Sequence, residues 1–142
     1  MSTETIALLL RDTLSLFGSD PELAIARLGD LYDEDVTFAD PIQTVHGRQG
    51  FLDMNRRLLA KTRVLRFDVS DTSWTRDRVF LNWKFTMQPK VGPNLEWEGI
   101  SDIRVRDGKV IEHHDYFDFA GGMLRSLPLV GRLYQAVLSK IG

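Results

Sequence analysis

Three short stretches of this 142-residue chain set ionisable side chains inside otherwise apolar runs: Val36-Thr37-Phe38-Ala39-Asp40-Pro41, Ser101-Asp102, and Glu112-His113-His114-Asp115-Tyr116-Phe117-Asp118. A carboxylate on an apolar wall must be hydrogen bonded, ion-paired or shifted in pKa, and a shifted carboxylate is a useful acid or base. Asp40, His113 and Asp115 are therefore the candidate proton-transfer residues. His113 and His114 are neighbours on a strand and face opposite sides of a sheet, so at most one reaches an interior. With Asp115 turned inward, His113 and Phe117 follow it, and a histidine lies beside a carboxylate two residues away on one face. Each candidate also has a purely structural reading. Asp40 before Pro41 can form a turn by accepting backbone amides, and Asp115 can be half of an ion pair with histidine. Asp102 alternates with Arg104 and Arg106, which aims it at water unless a bulge turns it inward.

The periodicity indicates the elements that hold these residues. Ile6, Leu9, Leu10, Leu14 and Phe17 recur at helical spacing over residues 5–17, and Gly18 stops the run. Asp20 and Pro21 suit the cap and first position of a second helix reaching about residue 33, with Leu23, Leu28, Leu31 and Tyr32 on its buried face. Residues 36–39 read as a short strand ended by Asp40-Pro41, with a loop to Gly47 and a third helix over residues 48–60. Period-two alternation then marks strands around residues 65–69, 79–87 and 95–106. Asp107-Gly108 signals a tight hairpin into a last strand over residues 109–118. Helices first and an antiparallel meander after them make an α+β order.

Length and composition bound the rest. One domain spanning residues 1–142 is expected, long enough to fold without staples. A formal charge of −2 with scattered lysines and arginines gives no continuous basic surface, so nucleic acid is not an expected partner. There is no cysteine, which excludes disulfides and thiolate chemistry and fits a reducing cytoplasm. Three histidines without ligand spacing predict no metal site, and the lack of a glycine-rich phosphate loop predicts no nucleotide cofactor. Neither a secretion signal nor a membrane span is expected from the apolar runs. Trp83, Phe85, Phe38 and Phe117 belong to a large aromatic set that suits an apolar pocket.

Several of these segments carry a resemblance: the acid-rich stretch running into Val36-Thr37-Phe38-Ala39-Asp40-Pro41, the helix start Gly47-Arg48-Gln49-Gly50, and Asp107-Gly108-Lys109-Val110-Ile111-Glu112-His113. Together with the element order, they resemble the nuclear transport factor 2-like superfamily, in particular its ketosteroid isomerase and SnoaL-like polyketide cyclase group, over about residues 4–118. The resemblance implies a cone-shaped fold in which N-terminal helices pack on a curved, mostly antiparallel sheet. It implies a general-base role for Asp40 and a hydrogen-bonding role for Asp102 near a substrate oxygen. The isomerases also use a tyrosine from the first helix, and residues 5–17 contain none. Asp115-Tyr116-Phe117-Asp118 is similar to the last strand of limonene epoxide hydrolases, whose matching aspartate acts as an acid. Their preceding arginine and aspartate, however, correspond to Trp83 and Phe85 here.

The leading expectation is a cofactor-independent enzyme moving a proton in a small hydrophobic carbonyl compound. Asp40, His113 and Asp115 would do the chemistry, and Phe38, Trp83, Phe85, Asp102 and Phe117 would contact substrate. It requires Asp40 to point into an enclosed pocket rather than to be fully satisfied by backbone donors at the rim. The alternatives are a carrier for an apolar small molecule, or a protein-interaction module; the resemblance makes a homodimer the default. Residues 119–142 form a helical extension with an aliphatic stripe, three basic residues and no acid. The stripe suits packing on this domain or a dimer partner, a lid over the pocket, or a peripheral membrane contact.

Overall fold

A computed structural model describes residues 1–141 and has α+β architecture. Helix α1 (Thr3–Leu16) starts where the Ser2 hydroxyl accepts the Thr5 amide, and α2 (Pro21–Leu31) starts where Asp20 accepts the Leu23 amide. Strand β1 (Tyr32–Ala39), β2 (Thr44–His46) and α3 (Arg48–Ala60) follow. Four long strands complete the sheet: β3 (Thr62–Trp74), β4 (Arg78–Pro89), β5 (Leu95–Arg106) and β6 (Lys109–Phe117). Two helices close the described chain, α4 (Phe119–Arg125) and α5 (Pro128–Ile141).

The six strands lie in the order β2-β1-β6-β5-β4-β3. All neighbours are antiparallel except β1 and β6, which run parallel with Phe38 opposite His113. That one parallel pair brings the Asp40 end of β1 beside the Asp115 end of β6. The β5–β6 turn has Asp107 at φ 51° and Gly108 at φ 74°. Two successive positive φ values define the hairpin turn that the Asp-Gly pair favours.

The curved sheet packs its inner face on α1, α2 and α3. Ile6, Leu10, Leu28, Val36, Val79, Leu81, Ile103 and Val110 fill the core at 1% exposure or less. Odd-numbered residues of β5 face in and even-numbered ones face out, following the pleat.

Two elements differ from expectation. The second helix ends at Leu31, because Tyr32 adopts extended geometry (φ −96°, ψ 135°) and pairs with Val110 of β6. Thr44–His46, read as loop, is an edge strand paired with Thr37–Ala39. Three residues of mixed polarity carry no period-two signal, and only the neighbouring strand makes them extended.

Candidate active site

Between the helices and the inner sheet face lies a cavity of about 330 Å³. Its wall is aromatic and aliphatic: Tyr32, Phe38, Phe51, Phe67, Trp83, Phe85, Trp97, Phe117 and Phe119, with Leu14, Leu28 and Leu58. The exposed lining residues Ile42, Gln43, Arg57 and Lys61 mark its mouth. Phe38 meets the His113 ring edge-on at 5.0 Å, and Phe51 stacks on Tyr32 at 4.6 Å. Phe38, Trp83, Phe85 and Phe117, expected at a substrate, all line this cavity.

A chain of hydrogen bonds crosses the apolar wall. The Trp83 Nε1–H donates to Ser101 Oγ at 2.8 Å, and Ser101 Oγ donates to Asp115 Oδ1 at 2.6 Å. His113 Nε2 lies 2.6 Å from the same Asp115 oxygen, and His113 Nδ1 lies 2.6 Å from the Tyr32 hydroxyl. An indole N–H can only donate, so Ser101 must spend its single proton on Asp115. Burial pushes the Tyr32 phenol well above its ordinary pKa, and the Asp115 charge adds to that, so the phenol keeps its proton. Among the described residues that proton's one acceptor is His113 Nδ1. With the Tyr32 hydroxyl donating to Nδ1, the ring's proton lies on Nε2 and is directed at Asp115. Every donor in the chain points toward the Asp115 carboxylate.

Asp115 Oδ1 thus holds two short bonds, while Oδ2 has no protein partner among the described residues and is not counted among the buried unsatisfied atoms. With a side-chain exposure of 14%, Asp115 presents that second oxygen to the cavity. A cavity group with a free proton is Asn55, whose Nδ2 donates one hydrogen to Phe51 O at 2.9 Å and has another to give.

Asp40 borders the same cavity, just past the end of β1. Its Oδ1 accepts the Ile42 amide at 2.8 Å and the Gln43 amide at 3.0 Å, and its own amide donates to Gln43 O at 3.0 Å. This is the turn arrangement weighed for an aspartate before proline.

Asp102 requires a correction. It is absent from the cavity lining and is paired on the outer face with Arg78, whose guanidinium the hydrogen bond and charge of Asp102 hold more firmly protonated. Strand parity decides this: Ser101 faces in, so Asp102 faces out, and the bulge in the β5–β6 pairing falls later, between Arg104 and Val105. In the sequence Ser101 stands out only as a neighbour of Asp102, and Tyr32 falls within the helical periodicity of residues 21–33. The signal for Ser101 was its place among inward-facing apolar residues of β5. For Tyr32 no local signal existed, since its role depends on the pairing with β6.

The comparisons with known proteins agree on this fold. No curated protein matches the chain by sequence. Among solved structures, a Mycobacterium tuberculosis epoxide hydrolase of limonene epoxide hydrolase-like type superposes with TM-score 0.74 at 14% identity, covering 96% of this chain and 97% of that one. A Catenulispora acidiphila protein with a ketosteroid isomerase-like fold, solved with trimethylamine, gives TM-score 0.72 at 16% identity over 89% and 93% of the two chains. A candidate SnoaL-like polyketide cyclase from Jannaschia sp. CCS1 gives 0.68 at 16% over 85% and 92%. At such identities these likenesses establish the fold, and proteins of this fold are described variously as isomerases, cyclases and epoxide hydrolases. The family model of the SnoaL-like domain matches residues 22–113, well over half of the sequence, and the chain belongs to the SnoaL-like domain family.

Proposed function

We propose that the protein is a cofactor-independent enzyme that moves a proton within a small apolar carbonyl compound, with Asp115 as the catalytic base. The observation that carries this reading is a carboxylate with one oxygen fixed by Ser101 and His113 and the other open to an apolar cavity. Asp115 Oδ2 takes a proton from the carbon beside the carbonyl, the electron pair of that C–H bond becomes a carbon–carbon double bond, and the C=O π pair moves onto oxygen to give an enolate. Where the compound is β,γ-unsaturated the enolate extends over that double bond, and the same carboxylic acid returns the proton to the γ carbon, which moves the double bond into conjugation with no net loss of atoms. Asn55 Nδ2 is a protein donor on the cavity wall that suits the enolate oxygen, and His113 answers the change in charge on Asp115 through their shared hydrogen bond. Positioned proton transfer of this kind contributes about 10²–10⁴-fold in rate.

The base role implied for Asp40 by the resemblance is less well supported, because Asp40 stands in an exposed turn at the mouth, where water screens its charge, whereas Asp115 lies deeper at 14% side-chain exposure. Asp40 is then a rim residue that shapes the mouth. The competing reading is a carrier, favoured by the same aromatic wall and requiring no proton acceptor. A thermal-shift screen with ketosteroids, aromatic polyketides, terpenoid ketones and fatty acids separates the two. A ketone whose affinity changes strongly in Asp115→Asn and little in Asp40→Asn supports the enzyme. A ligand indifferent to both substitutions supports the carrier.

The expected homodimer would use the outer sheet face, where Ile100 and Tyr116 are paired neighbours 44% and 53% exposed. Sedimentation of Ile100→Glu against the unaltered protein tests it, since a charge in that contact would split the dimer.

A further inference from the structure

Helix α5 is not folded into the body of the protein. It packs on α4, Gly131 is its one buried residue, and Leu129, Leu133 and Ile141 stay 80%, 66% and 77% exposed. Among the described residues no helix is long and apolar enough to cross a membrane, so the stripe is not a span. Charge separates the remaining occupants. Residues 119–142 carry three basic side chains and no acid, a charge of +3, whereas residues 1–118 carry −5. Pairing of α5 with α5 of a second copy would bring two positive segments together, whereas anionic lipid headgroups neutralise them. An aliphatic stripe flanked by basic residues is the pattern of a helix lying in a membrane interface.

We propose that α5 docks on an anionic lipid surface, its aliphatic stripe in the headgroup boundary and Arg132 and Lys140 on lipid phosphates. The helix is tied to the cavity wall through α4. Trp97 Nε1–H donates to Phe119 O at 3.2 Å, Phe119 stacks on Trp97 at 5.7 Å, and both rings line the cavity. Asp118 caps α4 by accepting the Gly121 amide at 2.9 Å. Docking therefore sets the wall of the cavity at the lipid layer in which apolar carbonyl compounds dissolve. The route of substrate entry rests on the function proposed above; the docking itself does not.

Flotation of the whole chain with lipid vesicles tests the docking without any substrate. Vesicles of phosphatidylcholine alone are compared with vesicles containing about one third phosphatidylglycerol at low and high salt. Each basic residue near an anionic surface strengthens partition roughly five-fold. The expected result is binding to the anionic vesicles, weakened by salt, and lowered about 25-fold in the R132Q/K140Q variant. Leu133→Glu should abolish binding while circular dichroism stays that of the unaltered protein, because Leu133 supports no core contact. Failure to float with anionic vesicles, or equal flotation with both compositions, would overturn the proposal. So would a dimer in solution that Leu133→Glu splits, which would make a second copy the occupant. Activity of the Asp115 site is read separately, in detergent-free solution without vesicles, so loss of one conclusion leaves the other standing.

Discussion

Ser101→Ala should be among the most damaging single changes that remove only one oxygen from this protein. The hydroxyl links a buried indole N–H to a carboxylate, and both partners are left without it. Trp83 is 4% exposed and its N–H has no other acceptor in the described structure, so orphaning that donor costs about 1–3 kcal/mol. Loss of a hydrogen bond to an ionised group adds to this, giving roughly 2–4 kcal/mol in total. For a chain of this size each kcal/mol lowers the thermal midpoint by about 3–5 °C, so a drop of roughly 6–20 °C is expected. Urea unfolding of Ser101→Ala, Trp83→Phe and the double variant measures the coupling. Trp83→Phe removes the donor that Ser101→Ala would orphan, so the double variant should be less destabilised than the sum of the two singles by about 1–2 kcal/mol. A cost for Ser101→Ala below about 0.5 kcal/mol, or strict additivity, would refute the directed chain from Trp83 to Asp115.

Other consequences follow from the same contacts. The native state holds Tyr32 protonated above its ordinary pKa, while an unfolded tyrosine ionises near pH 10. Stability should therefore be intact below pH ~10 and fall above it by up to about 1.4 kcal/mol per pH unit. Tyr32→Phe should lack that alkaline slope yet lose about 1 kcal/mol at neutral pH, because His113 Nδ1 loses its donor; urea titrations at pH 8 to 11 check both. Gly122→Ala would place a Cβ 2.0 Å from Trp97 Nε1, and such overpacking costs about 1–3 kcal/mol. Trp97 should leave the Phe119 carbonyl in that variant, seen as a shift in tryptophan emission. Asp102→Asn breaks only the outer-face pair with Arg78, so any ligand found by thermal shift should bind it unchanged.

What the sequence displayed was the part of the fold set by local periodicity. The alternation in residues 79–87 and 95–106, the Asp107-Gly108 turn and the capped start at Asp20-Pro21 all act over a few residues, and they appear where they were expected. Strand parity put His113, Asp115 and Phe117 on one face without saying which face that was, and the same parity aimed Asp102 at water. Tyr32 was invisible because its conformation is decided by a strand some eighty residues away. The two oxygens of Asp40 posed a different difficulty: an Asp-Pro pair writes the same letters whether it turns a chain or abstracts a proton. The exposed stripe of α5 was legible as amphipathic, but its lack of a covering surface emerges only from the packing.

Deuterium exchange measures removal of a proton from carbon by Asp115 inside the cavity without knowledge of the product. A ketone found to bind is held with the protein in D₂O, and incorporation at the carbon beside its carbonyl is followed by NMR. Exchange should fall by about 10²-fold or more in Asp115→Asn and change little in Asp40→Asn. Exchange that survives Asp115→Asn but is lost in Asp40→Asn would return the base role to Asp40, and binding with no exchange in the unaltered protein would make it a carrier.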